Sequence, residues 1–212
     1  MLFGIESTGS NLPINSNVQL MKKIILIAIF LLYHFMVFSQ DQGKNIYSGG
    51  MLILQPGYVF AENNHQQIRD SNFGLGGLLR FYMFKYLTAG IFGGSQKTSY
   101  PSTNAQTSSI SIGYGGPMVG VSKKTGKFRY TAAIFAGPGT IRNLHVENQA
   151  GNVLTEAYYY KESSLVWSPM LSVDFALTKR LNVTLQGVCL VAEFNEKPFY
   201  NPVLQLGVLF NR

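Results

Sequence analysis

The sequence predicts an all-β chain, an eight-stranded antiparallel up-and-down transmembrane β-barrel preceded by a cleavable signal peptide. Three observations carry this prediction. Apolar residues recur at every second position through most of the chain, the period of a strand with two different faces. The connections between these segments alternate strictly between long and short. Charges crowd at the segment ends and leave an uncharged band between, as lipid demands because it cannot solvate charge.

The clearest alternation lies in residues 165–191. Leu165, Trp167, Pro169, Leu171, Val173, Phe175 and Leu177 form an apolar face opposite Val166, Ser168, Met170, Ser172, Asp174 and Ala176. After a short basic turn, Thr178-Lys179-Arg180, the pattern resumes with Leu181, Val183, Leu185, Gly187, Cys189 and Val191 against Asn182, Thr184 and Gln186. Two antiparallel strands joined by a tight hairpin follow from this.

The other elements follow in chain order. Residues 1–20 are polar and aperiodic and read as an over-long start. Met21-Lys22-Lys23, an apolar run from Ile24 to Phe38, and Ser39 then give the three parts of a secretory signal peptide over residues 21–39. The run is shorter than the roughly 20 residues a spanning helix needs. Residues 40–46 form a short lead-in, and the barrel domain covers 47–212. Its first strand is Tyr47 to Ala61, with Leu52, Leu54, Tyr58 and Phe60 in phase, followed by a loop from Glu62 to Ser71. The second, Asn72 to Phe84, alternates Phe73, Leu75, Leu79, Phe81 and Met83 with Gly74, Gly76, Leu78, Arg80 and Tyr82, and turns at Lys85. The third is Tyr86 to Ser95, with a polar loop from Gln96 to Thr107. The fourth, Ser108 to Ser122, sets Ile110, Ile112 and Tyr114 against Ser109, Ser111 and Gly113 and reverses at Lys123-Lys124-Thr125-Gly126. The fifth passes through Ala132, Ile134 and Ala136. A long excursion, Ile141 to Glu162, leads to the sixth and seventh, and a loop from Ala192 to Tyr200 leads to the eighth, which ends Leu206-Gly207-Val208-Leu209-Phe210-Asn211-Arg212. Pro56, Pro117, Pro138, Pro169 and Pro202 fall in or beside strands. The glycines next to Pro56, Pro117 and Pro138 suggest bulges there.

An up-and-down sheet places alternate connections at opposite ends. The short-turn end holds Lys85, Lys123, Lys124, Lys127, Arg129, Lys179, Arg180 and Arg212 with no acid in its turns, whereas the long loops carry both signs. Aromatics fall near both ends: Phe81, Phe84, Tyr86, Phe128, Tyr130, Phe175 and Phe210 at one, Tyr58, Phe60, Phe73 and Trp167 at the other. Two interfacial girdles are the natural reading. On these features the chain, from Tyr47 to Arg212, resembles the small eight-stranded outer-membrane barrels of the OmpA/OmpX type. That resemblance implies export to the outer membrane of a Gram-negative envelope, contact with outer-membrane lipid, and insertion by the barrel-assembly machinery, which reads an aromatic-bearing final strand.

The net charge is +7, yet the basic residues form no helical stripe, so nucleic acid is excluded as a partner. Cys189, the single cysteine, rules out an intramolecular disulfide and any cysteine-based metal site and reads as a small apolar filler. By alternation the lumen receives Gln55, Arg80, Arg129, Met170, Asp174, Gln186 and Gln205. Arg80, Arg129 and Asp174 lie at similar depth, and a buried charge cluster plugging the lumen is expected of them. The excursion over 141–162 has strand-favouring flanks around Asn148-Gln149-Ala150-Gly151-Asn152, which predicts a protruding hairpin whose edges, with Tyr158, Tyr159 and Tyr160, would dock an extracellular protein. His65 and His145 both fall in predicted loops and read as solvated. No catalytic spacing, metal pattern or cofactor motif is present. The expected function is therefore that of a non-enzymatic barrel with a structural, adhesive or small-solute role. An outer-membrane rim enzyme acting on lipid or protein is one alternative. A soluble secreted barrel binding a hydrophobic ligand is another, against which the basic turns and aromatic bands argue.

Overall fold

A computed structural model describes residues 47–83, 86–102, 104, 107–150 and 153–211. The predicted extension 1–20, the signal peptide 21–39, the lead-in 40–46 and the turn residues Phe84 and Lys85 lie outside these described residues. Nine strands follow in order: β1 (Tyr47–Leu54), β2 (Gly57–Glu62), β3 (Gln67–Met83), β4 (Leu87–Pro101), β5 (Thr107–Thr125), β6 (Phe128–Ala150), β7 (Val153–Ala176), β8 (Leu181–Phe194) and β9 (Lys197–Asn211). Each is antiparallel to its sequence neighbour from β2 onward, and β1 and β2 together sit between β3 and β9. The sheet thereby closes into a ring of eight staves, leaving no free edge within the wall.

The first predicted strand is two elements and one stave. Pro56 has no N–H to give the ladder, so the strand divides there, but the stave runs on unshifted: Leu54 faces Leu75, Gln55 exchanges backbone hydrogen bonds with Gly74 at 3.0 and 3.1 Å, the Pro56 carbonyl accepts the Leu204 N–H at 3.0 Å, and Gly57 faces Asn72. The bulges expected at the prolines are absent for the same reason. Register is also preserved across Pro117 and Pro138, where Tyr114 faces Gly139 and Met118 faces Phe135. The ladder simply opens between those pairs. At Pro169, the Ser168 hydroxyl accepts the Cys189 N–H at 3.2 Å. All five prolines are exposed on the outer wall.

The expected long loops are mostly strand. The segment Ala192 to Tyr200 is the end of β8, a two-residue turn and the start of β9, with Asn195 and Glu196 at φ 51° and 59°. Two consecutive positive φ values match the twist of a hairpin, so the strands stay paired up to the turn. Likewise β4 reaches Pro101 and β5 starts at Thr107, where a loop over Gln96 to Thr107 was expected. Polar residues in a ladder hold their backbone groups as well as apolar ones do. At the other end Gly126, at φ 60°, makes the β5–β6 reversal. What separates the two ends is strand overhang: β6 and β7 are 23 and 24 residues long, β8 only 14.

The outer wall exposes Leu52, Leu75, Leu79, Ile91, Val119, Ile134, Leu165, Leu171, Leu204 and Leu206 as an apolar band. Tyr58, Phe60, Phe73 and Trp167 are exposed toward the overhang, and Phe81, Tyr86, Phe128, Tyr130 and Phe210 toward the short turns. The interior is also apolar over much of its length. Ile110, Ile112 and Tyr114 of β5 turn inward, joining Phe92, Phe135, Ile141, Val166, Leu190, Phe194 and Phe199 in one buried cluster. The outer face of β5 there is Ser109, Ser111 and Gly113, above the lipid-facing band.

Candidate functional site

Polar constellations lie at both ends of the packed interior, one near the short-turn end and one at the rim. The lower is built on Arg80 of β3 and Asp174 of β7, both placed inward by strand alternation and both buried. Arg80 Nη1 lies 3.1 Å from Asp174 Oδ2, and Arg80 Nη2 donates to Gln186 Oε1 at 3.0 Å. Asp174 also accepts from the Thr184 hydroxyl at 2.8 Å and the Tyr82 hydroxyl at 3.1 Å. Arg129 faces Asp174 across the β6–β7 ladder, but its guanidinium lies over the Tyr82 ring, 3.7 Å from the centroid. It thus reaches the pair through an aromatic face. Sequence reasoning missed three partners: Tyr82, Thr184, and Ser172, whose hydroxyl accepts from Arg80 Nη2 at 3.4 Å, although the same alternation that gave Arg80 and Asp174 points them inward. Buried charges need this density of hydrogen bonds to offset desolvation.

Between the two constellations lie Phe92, Tyr114 and Phe135, with ring centroids 5.2 to 5.8 Å apart. The Tyr114 hydroxyl donates to Gln55 Oε1 at 2.9 Å, and Gln55 in turn accepts from Gln96, which takes hydrogen bonds from Asn72 and Asn201. Side chains, rather than space, occupy the barrel axis here.

The rim constellation corrects the expectation for histidine. His145 belongs to β6 and is 1% exposed, instead of lying solvated in a loop. His65, in the turn between β2 and β3, is exposed and stacks on it with centroids 4.4 Å apart and planes 12° from parallel. Asn63 builds that turn, its Oδ1 accepting the N–H groups of His65 at 2.9 Å and Gln66 at 2.6 Å. Its Nδ2 reaches the Tyr100 hydroxyl and Asn143 Oδ1, and Asn143 donates to Tyr100 at 2.7 Å. Burial, and secondarily the charge of His65, hold the His145 pKa below its ordinary 6.5, with Glu147 opposing. The Glu156 carboxyl is held below its ordinary range by the Tyr158 hydroxyl at 2.8 Å and by Asn148 at 3.0 Å.

The three tyrosines do not form one surface, because neighbours on a strand face opposite sides. Tyr158 packs against His65 with centroids 4.6 Å apart, and the Tyr160 hydroxyl lies 2.9 Å from His65 Nε2. Tyr159 alone turns outward, well exposed, with Val153 and Leu154 exposed nearer the tip. Just below, exposed Arg142 and Lys161 face each other across the ladder. On the far side of β7 the ladder to β8 begins only at Trp167, while the ladder to β6 continues to Val153.

No protein-family model matches the chain, and no curated protein matches it in sequence. Solved structures match it in fold. The attachment invasion locus protein Ail of Yersinia pestis, solved in complex with the heparin analogue sucrose octasulfate, superposes with a TM-score of 0.53 at 8% identity, covering 79% of this chain and 100% of that one. Neisserial surface protein A gives 0.56 at 7% identity, over 77% and 96%. The fold is that of the small outer-membrane β-barrels.

Proposed function

We propose that this chain is a non-enzymatic outer-membrane barrel that docks an extracellular protein on the protruding β6–β7 hairpin. The observation that carries the reading is the one-sided pairing of β7 from Lys161 to Val153, beyond the last contacts of β8, which are the Glu193 N–H on Ser164 Oγ and the Asn195 N–H on Glu162 Oε2. An exposed strand edge is a row of unpaired backbone donors and acceptors, and an extended segment of another protein can complete it. Tyr159 supplies an aromatic anchor beside that edge. The barrel, with its apolar band and two aromatic girdles, serves as a rigid mount in the membrane, and the rim network of His65, Tyr158 and Tyr160 braces the hairpin's base.

A second reading rests on Arg142 facing Lys161. Two exposed cations side by side fit a sulfated polysaccharide, a ligand class represented in the Ail complex. The test is adhesion of cells displaying the barrel to immobilised serum and matrix proteins and to heparin. Replacing residues 146–157 by a two-residue turn is expected to abolish protein adhesion while the barrel keeps its heat-dependent gel mobility. Undiminished protein adhesion would refute the docking reading. Loss of heparin retention in Arg142→Ala/Lys161→Ala alone would favour the second.

A further inference from the structure

We propose that the outer wall carries a specific phospholipid site, with the lipid phosphate on Lys123 and one acyl chain along Ala132 and Gly187. The inference rests on the reading of the barrel as membrane-spanning and goes beyond it by naming a site.

A groove of about 650 Å³ opens on the wall beside Lys123. That size falls in the roughly 300–1,000 Å³ range of small-molecule sites. Tyr86, Val121 and Tyr130 wall one side, and Leu171, Leu185 and Leu204 the other. The register explains the depression. Val121, Ala132, Leu171, Gly187 and Leu204 are successive cross-strand partners from β5 to β9, all on the outward face. Ala132 and Gly187 are the two small members of a row otherwise built of large ones. At Gly187 the depression is open, for a Cβ added there would meet no atom within 4 Å.

The mouth of the groove is cationic. Lys123 lies opposite Tyr130 in the β5–β6 ladder, and Lys124 lies opposite Arg129 one step nearer the turn. Lys127, Lys179 and Arg180 stand at the same end, and the turns around them contain no acid. Exposed Tyr86 and Tyr130 place amphipathic rings at the same level, where such rings meet lipid headgroups. An apolar trough ending in a cation, with no acid in the turns around it, matches an amphiphile with one anionic head. A second copy of this chain related by a two-fold axis would bring its own lysines to that end, so the charge favours lipid over self-association.

The experiment is native mass spectrometry of the detergent-purified barrel after exchange with phosphatidylglycerol or phosphatidylcholine. The wild type is expected to retain one phospholipid, with phosphatidylglycerol favoured up to about fivefold, the ratio given by roughly 1 kcal/mol per basic residue near an anionic headgroup. Gly187→Leu, which the open space accommodates, is expected to fill the groove and lower retention of both lipids. Lys123→Gln is expected to erase the headgroup preference and leave the acyl contact. Equal retention in wild type and Gly187→Leu would overturn the proposal. Gel mobility with and without boiling is read on every sample. A wild-type chain that stays soluble without detergent and shows no mobility shift would instead overturn the membrane reading on which the site depends.

Discussion

At the scale of single residues, Asp174 is the most consequential side chain in the lumen. It is buried, and it neutralises a buried arginine while accepting from two hydroxyls. Asp174→Asn removes the charge but leaves Arg80 desolvated, so a loss of about 3–5 kcal/mol is expected in urea unfolding of the folded barrel. An Arg80→Met/Asp174→Leu double variant is expected to lose less than Asp174→Asn, since no uncompensated charge remains. Equal losses would show that the pair is not energetically coupled. The pair was legible from alternation alone. The position of Arg129 was not, because the period says which face a residue takes and nothing of whether a guanidinium seeks a carboxylate or a ring.

His145 shows a different limit. A loop assignment made it solvated, while the ladder to β7 buries it under His65. Its folded pKa is depressed, so the folded rim binds fewer protons than the unfolded chain. The stabilisation is therefore present above about the ordinary 6.5 and is lost as pH falls from there through the depressed folded value. Glu156, also depressed, adds loosening in the same direction at lower pH, below its ordinary 4.5. Ring resonances of Tyr158 and Tyr160 followed by NMR are expected to shift between pH 7 and 5. His145→Gln is expected to reduce that step and leave the lower one unchanged. A Tyr158 signal unchanged across the upper window would contradict the coupling.

At the scale of elements, the contact of β5 with β6 shows what the Gly-Pro steps do. They were read as bulges because proline removes a ladder donor and glycine permits a bend. The structure uses the glycines for close approach: a Cβ at Gly137 would stand 2.4 Å from the Gly115 carbonyl oxygen, on the inner side of a ladder already opened by Pro117 and Pro138. No local sequence signal distinguishes the two uses, since both call for glycine beside proline. Gly137→Ala is expected to cost about 1–3 kcal/mol, the range for overpacking, because its neighbour is backbone. Gly187→Ala is expected to be near neutral, since its surroundings are open. Urea titration of the two variants side by side tests the pair. Equal midpoints would mean the strands part without cost. The protruding hairpin, by contrast, was readable from its strand-favouring flanks, though which tyrosine faces outward required the register.

At the scale of the whole molecule, alternation and the number of segments were enough to give a closed eight-stave ring, since each segment carried its own period. Loop lengths were overestimated because polar residues in a ladder look like polar residues in a loop. The interior was the other surprise. An alternation rule that sends large apolar residues to lipid leaves a polar lumen, but several strands are apolar on both faces: Phe92 and Phe135 turn inward beside the exposed Ile91 and Ile134, and Ile110, Ile112 and Tyr114 turn inward opposite Ser109, Ser111 and Gly113. The barrel axis therefore holds a charged pair near one end and, beyond it, a trio of rings with apolar residues packed around them. That order decides between a gate and a plug. A gate made of Arg80 and Asp174 would conduct once the pair was removed. A plug would not, because ions would still face the packed rings of Phe92, Tyr114 and Phe135 and the buried amides of Gln55, Gln96, Asn72 and Asn201, whose hydrogen bonds are spent on one another. In planar bilayers the wild type is expected to show no unitary current steps, and the Arg80→Met/Asp174→Leu variant is expected to stay equally silent. Shrinking the ring trio, with Phe92→Ala and Phe135→Ala added to that variant, is the change expected to admit water and current. Steps from the charge-pair variant alone would make the pair the barrier and the rings incidental to it.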